Sequence, residues 1–311
     1  MFSIFLFLAG LLIFLTGLYI LKTGLKYMYS INLKTVINNF THTPLKGCLT
    51  GTALTMLLQS SSAVTVITIG LVDTGLMVFT QALGIVLGTN IGTTLTGQIL
   101  AFNLEKLGLP IIYMGLLLIL FPGLLRGIGF NLCGLGMIFL GMDFMAKAFL
   151  FIQSNPLFYH LLIITQRNNL LAVIAGIIFT AIIQSSSAMT GIVLVLAKNG
   201  QLNLVTATAI ILGSNVGTCI TALLAAIGST TAGKRVAAAH VLLNILGVLL
   251  FYPFLLQFTQ LMSLTSTDLP RQIAHTHTVF NILSSLLVLP FAGLFTRLIC
   301  WMVPQSNISD Q

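Results

Sequence analysis

Gln59-Ser60-Ser61-Ser62 interrupts an apolar stretch spanning 44–72, and the same tetrapeptide returns as Gln184-Ser185-Ser186-Ser187 inside a second apolar stretch, 169–198. The two tracts lie 125 positions apart. At that same offset Gly88-Thr89-Asn90-Ile91-Gly92-Thr93 is matched by Gly213-Ser214-Asn215-Val216-Gly217-Thr218. Two different polar motifs sharing one offset read as a duplicated unit with a polar centre in each copy, the pattern of a secondary transporter built from repeats. Matches continue outward, with Ile13-Phe14-Leu15 on Ile138-Phe139-Leu140, Lys22 on Lys147, Gly51 on Gly176 and Thr96 on Thr221.

Apolar residues make up 57% of the chain and charged residues 6%, with a mean hydropathy of +1.07. That leaves too little polar surface for a soluble domain and implies an all-α integral membrane protein. The apolar stretch 2–21 lacks a basic leader and a small-residue cleavage site, so it reads as a retained first span rather than a signal peptide. The net charge of +8 is spread singly at the ends of apolar runs, which fits membrane edges and excludes a nucleic-acid patch. Cys48, Cys133, Cys219 and Cys300 have no metal or redox spacing.

A helix needs about 20 apolar residues to cross a hydrocarbon core roughly 30 Å thick. By that ruler 3–27, 77–102, 109–125, 130–151, 202–227, 236–258 and 275–298 read as full spans. The segments flanking each serine tract are too short, with arms of about 22 and 15 Å at 1.5 Å per residue. They predict two re-entrant hairpins, 44–72 and 169–198, whose tips meet inside the bundle; irregular backbone at that depth is tolerated only where protein or a polar cavity covers it. Three spans and one hairpin per unit force the second copy to run through the membrane in the opposite sense. The expected organisation is therefore a first inverted repeat at 3–127, a second at 128–258, and a C-terminal span with a short tail at 259–311. An outside N-terminus places Lys22, Lys26, Lys34, Lys46, Arg126, Lys234, Arg235 and Arg297 inside, against Lys106, Lys147, Arg167, Lys198 and Arg271 outside.

A serine that caps the returning arm of a hairpin aims free N–H groups and the positive end of the helix dipole at the tip, with hydroxyls beside them. That is an anion site. Two such tips facing each other would surround one tetrahedral anion, with the Gln59 and Gln184 amides able both to donate and to accept. The glycines of the second motif predict local unwinding of two helices, which would turn backbone carbonyls, Asn90, Asn215, Thr93 and Thr218 into hard oxygen ligands for Na+. No Lys or Arg lies in either motif, so dipoles and cations must balance the anion. Bringing a dianion into a cell at roughly −100 mV costs about 4.6 kcal/mol, at about 2.3 kcal/mol per charge, and two Na+ would cancel this. Asp143 lies on a span, with Lys147 four residues on as its natural partner.

His240, Asn244 and Pro253 recur 37 positions later as His277, Asn281 and Pro290. We read them as helix packing with Asn bonding between helices. An intramembrane hydrolase using a hairpin serine and one of these histidines is the enzyme alternative, disfavoured because no Gly-x-Ser-x-Gly elbow surrounds either tract.

The paired Gln-Ser-Ser-Ser tracts, each followed by Gly-x-Asn-x-Gly-Thr, resemble the type II sodium-phosphate cotransporters and their bacterial relatives. The resemblance implies a sodium-coupled symporter of inorganic phosphate working by alternating access. It implies phosphate contacts at Gln59, Ser60, Ser61, Ser62, Gln184, Ser185, Ser186 and Ser187. Sodium ligands would come from Thr89, Asn90, Thr93, Ser214, Asn215 and Thr218, with Thr65 and Thr190 behind the tips. Another oxyanion, sulfate or arsenate, is the alternative cargo. No cofactor beyond Na+ as coupling ion is expected. Expected partners are phosphate, Na+ and the bilayer, with a homodimer considered and no nucleic acid, in a multi-pass protein of the plasma or bacterial inner membrane.

Overall fold

The computed structural model describes residues 2–28, 41–102, 104, 107–152 and 156–305; Lys34 and Lys106, used in the charge count, fall outside them. Every regular element among the described residues is a helix. Among the described residues four helices are long and apolar enough to cross a membrane: Leu124–Ala148, Leu204–Ala225, Thr231–Ser263 and Leu269–Met302. This is the architecture of a helical membrane protein.

The duplication extends to the ends of the elements. Pro44–Leu58, Ser61–Asp73 and Phe79–Leu100 recur as Asn169–Ile183, Ser186–Lys198 and Leu204–Thr218 with Ile220–Ala225, each at an offset of 125. At 15 and 13 residues, the two arms of a hairpin reach about 22 and 20 Å, short of a 30 Å core. In each copy the leading arm lies along the motif helix, Pro44–Leu58 on Phe79–Leu100 and Asn169–Ile183 on Leu204–Thr218. The most extensive contact of all pairs Phe2–Met28 with Leu124–Ile152. Phe14, Phe139, Met142 and Met145 are buried in one apolar core there, while Leu83, Ile85, Val86 and Leu87 belong to a second core beneath the first hairpin.

Two expectations are corrected. The glycines do not unwind the motif helices: Phe79–Leu100 is continuous through Gly88 and Gly92. In the second copy the only interruption is at Cys219, one residue past the motif. The reason is close packing. A Cβ on Gly88 would stand 2.0 Å from the Cys48 carbonyl oxygen, and one on Gly213 would stand 2.0 Å from that of Val173. Glycine is there to let the leading arm touch the motif helix backbone to backbone, as small residues do in membrane bundles. The span expected at 109–125 is likewise only Gly108–Ile119, 12 residues. Pro122 and Gly123, the latter at φ 71°, turn the chain into Leu124–Ile152.

The repeat at 37 residues marks two long helices of similar build. Pro253 sits in a 3-10 turn, Tyr252–Phe254, inside Thr231–Ser263, and Pro290 sits in Leu289–Phe291 inside Leu269–Met302. Proline removes one ladder hydrogen bond and crowds the preceding turn, so each helix tightens there instead of ending.

Candidate functional site

Each leading arm ends on a glutamine in the left-handed region, Gln59 at φ 49°, ψ 35° and Gln184 at φ 58°, ψ 27°. They are the only non-glycine residues with positive φ among those described. For an L-residue this costs about 1–2 kcal/mol, which glycine would avoid. A strained position filled by the same polar residue in both copies points to use of the side chain. Next in the chain, Ser60 and Ser185 cap the returning arms: Ser60 Oγ accepts from Ala63 N at 3.2 Å and Ser185 Oγ from Ala188 N at 3.3 Å. The sequence therefore builds a left-handed turn, a serine cap and a fresh helix N-terminus within three residues, twice.

The two tips meet. Gln59, Ser60, Ser61, Ser62, Gln184, Ser185, Ser186 and Ser187 line one cavity together with Thr93 and Thr218, with about 20 Å³ of room for the centres of water-sized groups. All eight residues expected at the anion are in this lining, and the N-termini of Ser61–Asp73 and Ser186–Lys198 both lie at it. Two helix ends contribute about half a positive charge each, and among the described residues no Lys, Arg, Asp or Glu takes part in the lining.

Hydrogen bonding sorts the hydroxyls into two kinds. Thr93 Oγ1 donates to the Thr89 carbonyl and Thr218 Oγ1 to the Ser214 carbonyl, both at 2.9 Å. Their protons are committed, so these oxygens offer lone pairs to the cavity. Among the described residues Ser61, Ser62, Ser186 and Ser187 have no such internal acceptor, and Ser62 Oγ lies 3.0 Å from Thr221 Oγ1, whose proton also has the Thr218 carbonyl at 2.9 Å. Their O–H groups remain donors for an anion. Gln59 is used internally: its Nε2 donates to the Met56 carbonyl at 2.6 Å and its Oε1 accepts from Thr96 Oγ1 at 2.5 Å. Gln59 is buried, whereas Gln184 is exposed.

The other expected sodium ligands, Thr89, Asn90, Ser214, Asn215, Thr65 and Thr190, are buried but stand outside the lining. Asn90 is a structural tie. Its Nδ2 donates to Asn244 Oδ1 at 2.9 Å, His240 Nε2 sits 3.3 Å from its Oδ1, and Asn244 Nδ2 donates to the His240 carbonyl at 2.8 Å. The expected Asn bond between helices is thus present for the first His-Asn pair. Asn281 instead donates to His277 of its own helix at 2.9 Å. Thr89, Ser214 and Thr190 donate to carbonyls within their own helices, and Asn215 to Ile211. Asp143 pairs with Lys147 at 2.6 Å as a surface i,i+4 bridge. Thr96 and Thr221 reach the tips although the sequence showed them only as repeat matches.

The sequence pattern of the Na+/Pi-cotransporter family matches residues 13–147 and 154–267. The chain belongs to this family. A relative from Bacillus subtilis, the uncharacterized protein YqeW, is 38% identical over 223 residues, 70% of this chain and 71% of that protein. The putative inorganic phosphate export protein YjbB of Salmonella typhimurium is 30% identical over 76% of this chain, which spans 44% of that relative's length. Human sodium-dependent phosphate transport protein 2C is 43% identical over 86 residues, 26% of this chain and 14% of that one. No solved structure matches. The family is one of transporters rather than enzymes, which removes the hydrolase alternative; in keeping with that, His240 faces Asn90 and no histidine lines the cavity.

Proposed function

We propose that this protein is a sodium-coupled symporter of inorganic phosphate, working by alternating access in a multi-pass arrangement in the plasma or bacterial inner membrane. The observation that carries the reading is the convergence of two serine-capped helix N-termini on one cavity lined by ten polar residues. Phosphate sits between the tips, taking hydrogen bonds from Ser61, Ser62, Ser186 and Ser187 and from the free N–H groups of both returning arms. Gln184 supplies an amide from the exposed side. Sodium takes the lone pairs of Thr93 and Thr218 beside it, with Asn215 and Ser214 behind. The cation offsets the anion's charge where no basic side chain does. The two hairpins are re-entrant and the two units run in opposite senses, at 3–127 and 128–258, so that each tip is reached from its own side of the bilayer. The name of the YjbB relative speaks of export, and a symporter of this build carries cargo down whichever combined gradient is imposed.

Purified protein in vesicles tests this. Labelled phosphate should accumulate only under a sodium gradient, in the direction of that gradient, and a large excess of sulfate should leave it intact. Accumulation that is indifferent to sodium, or abolished by sulfate, would overturn the reading.

A further inference from the structure

Thr96 and Thr221 are equivalent residues, 125 apart, one turn beyond the lining threonines of their motif helices. By symmetry they should bind alike. They do not: Thr96 donates to Gln59 of its own hairpin, while the Thr221 hydroxyl has two acceptors in reach, Ser62 Oγ of the opposite hairpin at 3.0 Å and the Thr218 carbonyl of its own chain segment at 2.9 Å. The glutamines differ in step. Gln59 is 8% exposed with its amide held at both ends, whereas Gln184 is exposed and its side chain makes no hydrogen bond among the described residues.

We infer that Thr96 and Thr221 are positioning residues forming a two-position latch, in which each hydroxyl alternates between the glutamine of its own hairpin and the third serine of the other. In the arrangement seen here Thr96 holds Gln59 and Thr221 holds Ser62. Exchanging the roles of the two copies gives the second arrangement: Thr221 holds Gln184 and Thr96 holds Ser187. The bonds are the same in kind and number, so the two arrangements are close in energy, which alternating access requires of its end states. A hydroxyl suits the task because it can turn its single proton between an amide oxygen, a hydroxyl oxygen and the carbonyl one turn back without leaving a buried donor unpaired. The inference rests on the transport reading above, but it concerns the hairpins rather than the cargo.

Paired cysteines test it directly, because hydroxyl oxygens within hydrogen-bond reach put Cβ atoms near the 3.5–4.5 Å that a disulfide spans. Ser62→Cys with Thr221→Cys should cross-link under mild oxidation, as should Thr96→Cys with Ser187→Cys, a pair drawn from the arrangement not seen here. Ser62 and Ser187 also line the cavity, so the readout is the cross-link itself, and the four single-cysteine variants serve as controls against reaction with Cys48, Cys133, Cys219 and Cys300. Failure of the Thr96–Ser187 pair to form while the Ser62–Thr221 pair does would overturn the latch. In parallel, Thr96→Val and Thr221→Val should each lower the maximal transport rate about five-fold, the effect of one lost net hydrogen bond, with Thr→Ser restoring it; failure of serine to rescue would also overturn it. Sodium-driven uptake by the unaltered protein is measured separately, so loss of the latch and loss of the transport reading give different results.

Discussion

Alanine at Gly88 or Gly213 should be far more damaging than alanine at another helical glycine of the same region. A methyl at either position would stand 2.0 Å from a carbonyl oxygen of the leading arm, about 1.3 Å inside the roughly 3.3 Å at which carbon and carbonyl oxygen meet in packed helices. The obstacle is backbone, so no side chain can swing aside and the arm itself must move by about 1 Å. Alanine gains about 1 kcal/mol of helix propensity over glycine, and overpacking of this severity costs about 1–3 kcal/mol or more. The net is destabilisation of up to about 2 kcal/mol, or a melting temperature lower by as much as about 4–8 °C at about 2–4 °C per kcal/mol. The larger effect falls on transport: an arm shifted by 1 Å carries its tip with it, and a misplacement of that size can cost about 100-fold in rate. Gly70→Ala is the control, since nothing lies within 4 Å of a Cβ there; it should stabilise by about 0.5–1 kcal/mol and leave uptake intact. Thermal unfolding in detergent and sodium-driven uptake in vesicles measure both. If Gly88→Ala and Gly213→Ala match Gly70→Ala in both assays, the backbone seam is not what these glycines serve.

Two further outcomes follow from the tips and the buried ties. Gln184→Gly should raise thermal stability by about 0.5–1 kcal/mol, because relief of the left-handed strain exceeds the entropy glycine adds to the unfolded chain, yet phosphate uptake should fall; unchanged uptake would remove Gln184 from the site. Asn244→Leu strands the buried Asn90 amide and should cost about 1–3 kcal/mol, while Asn281→Leu, whose amide serves only its own helix, should cost less; equal melting shifts would count against a special tie at Asn90.

The break at each serine tract was legible because two signals agreed: flanking apolar segments shorter than a full span, and serines able to begin a new helix. The structure begins and ends the leading arms within a residue of expectation, at Pro44–Leu58 and Asn169–Ile183. The motif glycines misled, since glycine permits both flexibility and close approach and a sequence does not say which is used. The second motif's position within the helix was readable, but its uninterrupted course depended on an arm lying against it. Likewise the apolar run 109–125 hid a turn, because Pro122-Gly123 sits among residues hydrophobic enough for a continuous span. The His-Asn pairs look equal in sequence and differ in place: Asn244 meets Asn90 across a helix interface, and Asn281 meets no such partner. Thr93 and Thr218 could be separated from their neighbours only once the hydrogen bonds showed which protons were already spent.

The cavity draws five residues from each copy, so neither half of the chain encloses anything alone. Inheritance then works on the pair: a change that reshapes one tip is judged by how well cargo still fits against its twin. The two halves are therefore bound to drift in concert at these ten positions, even where the rest of their sequences part company.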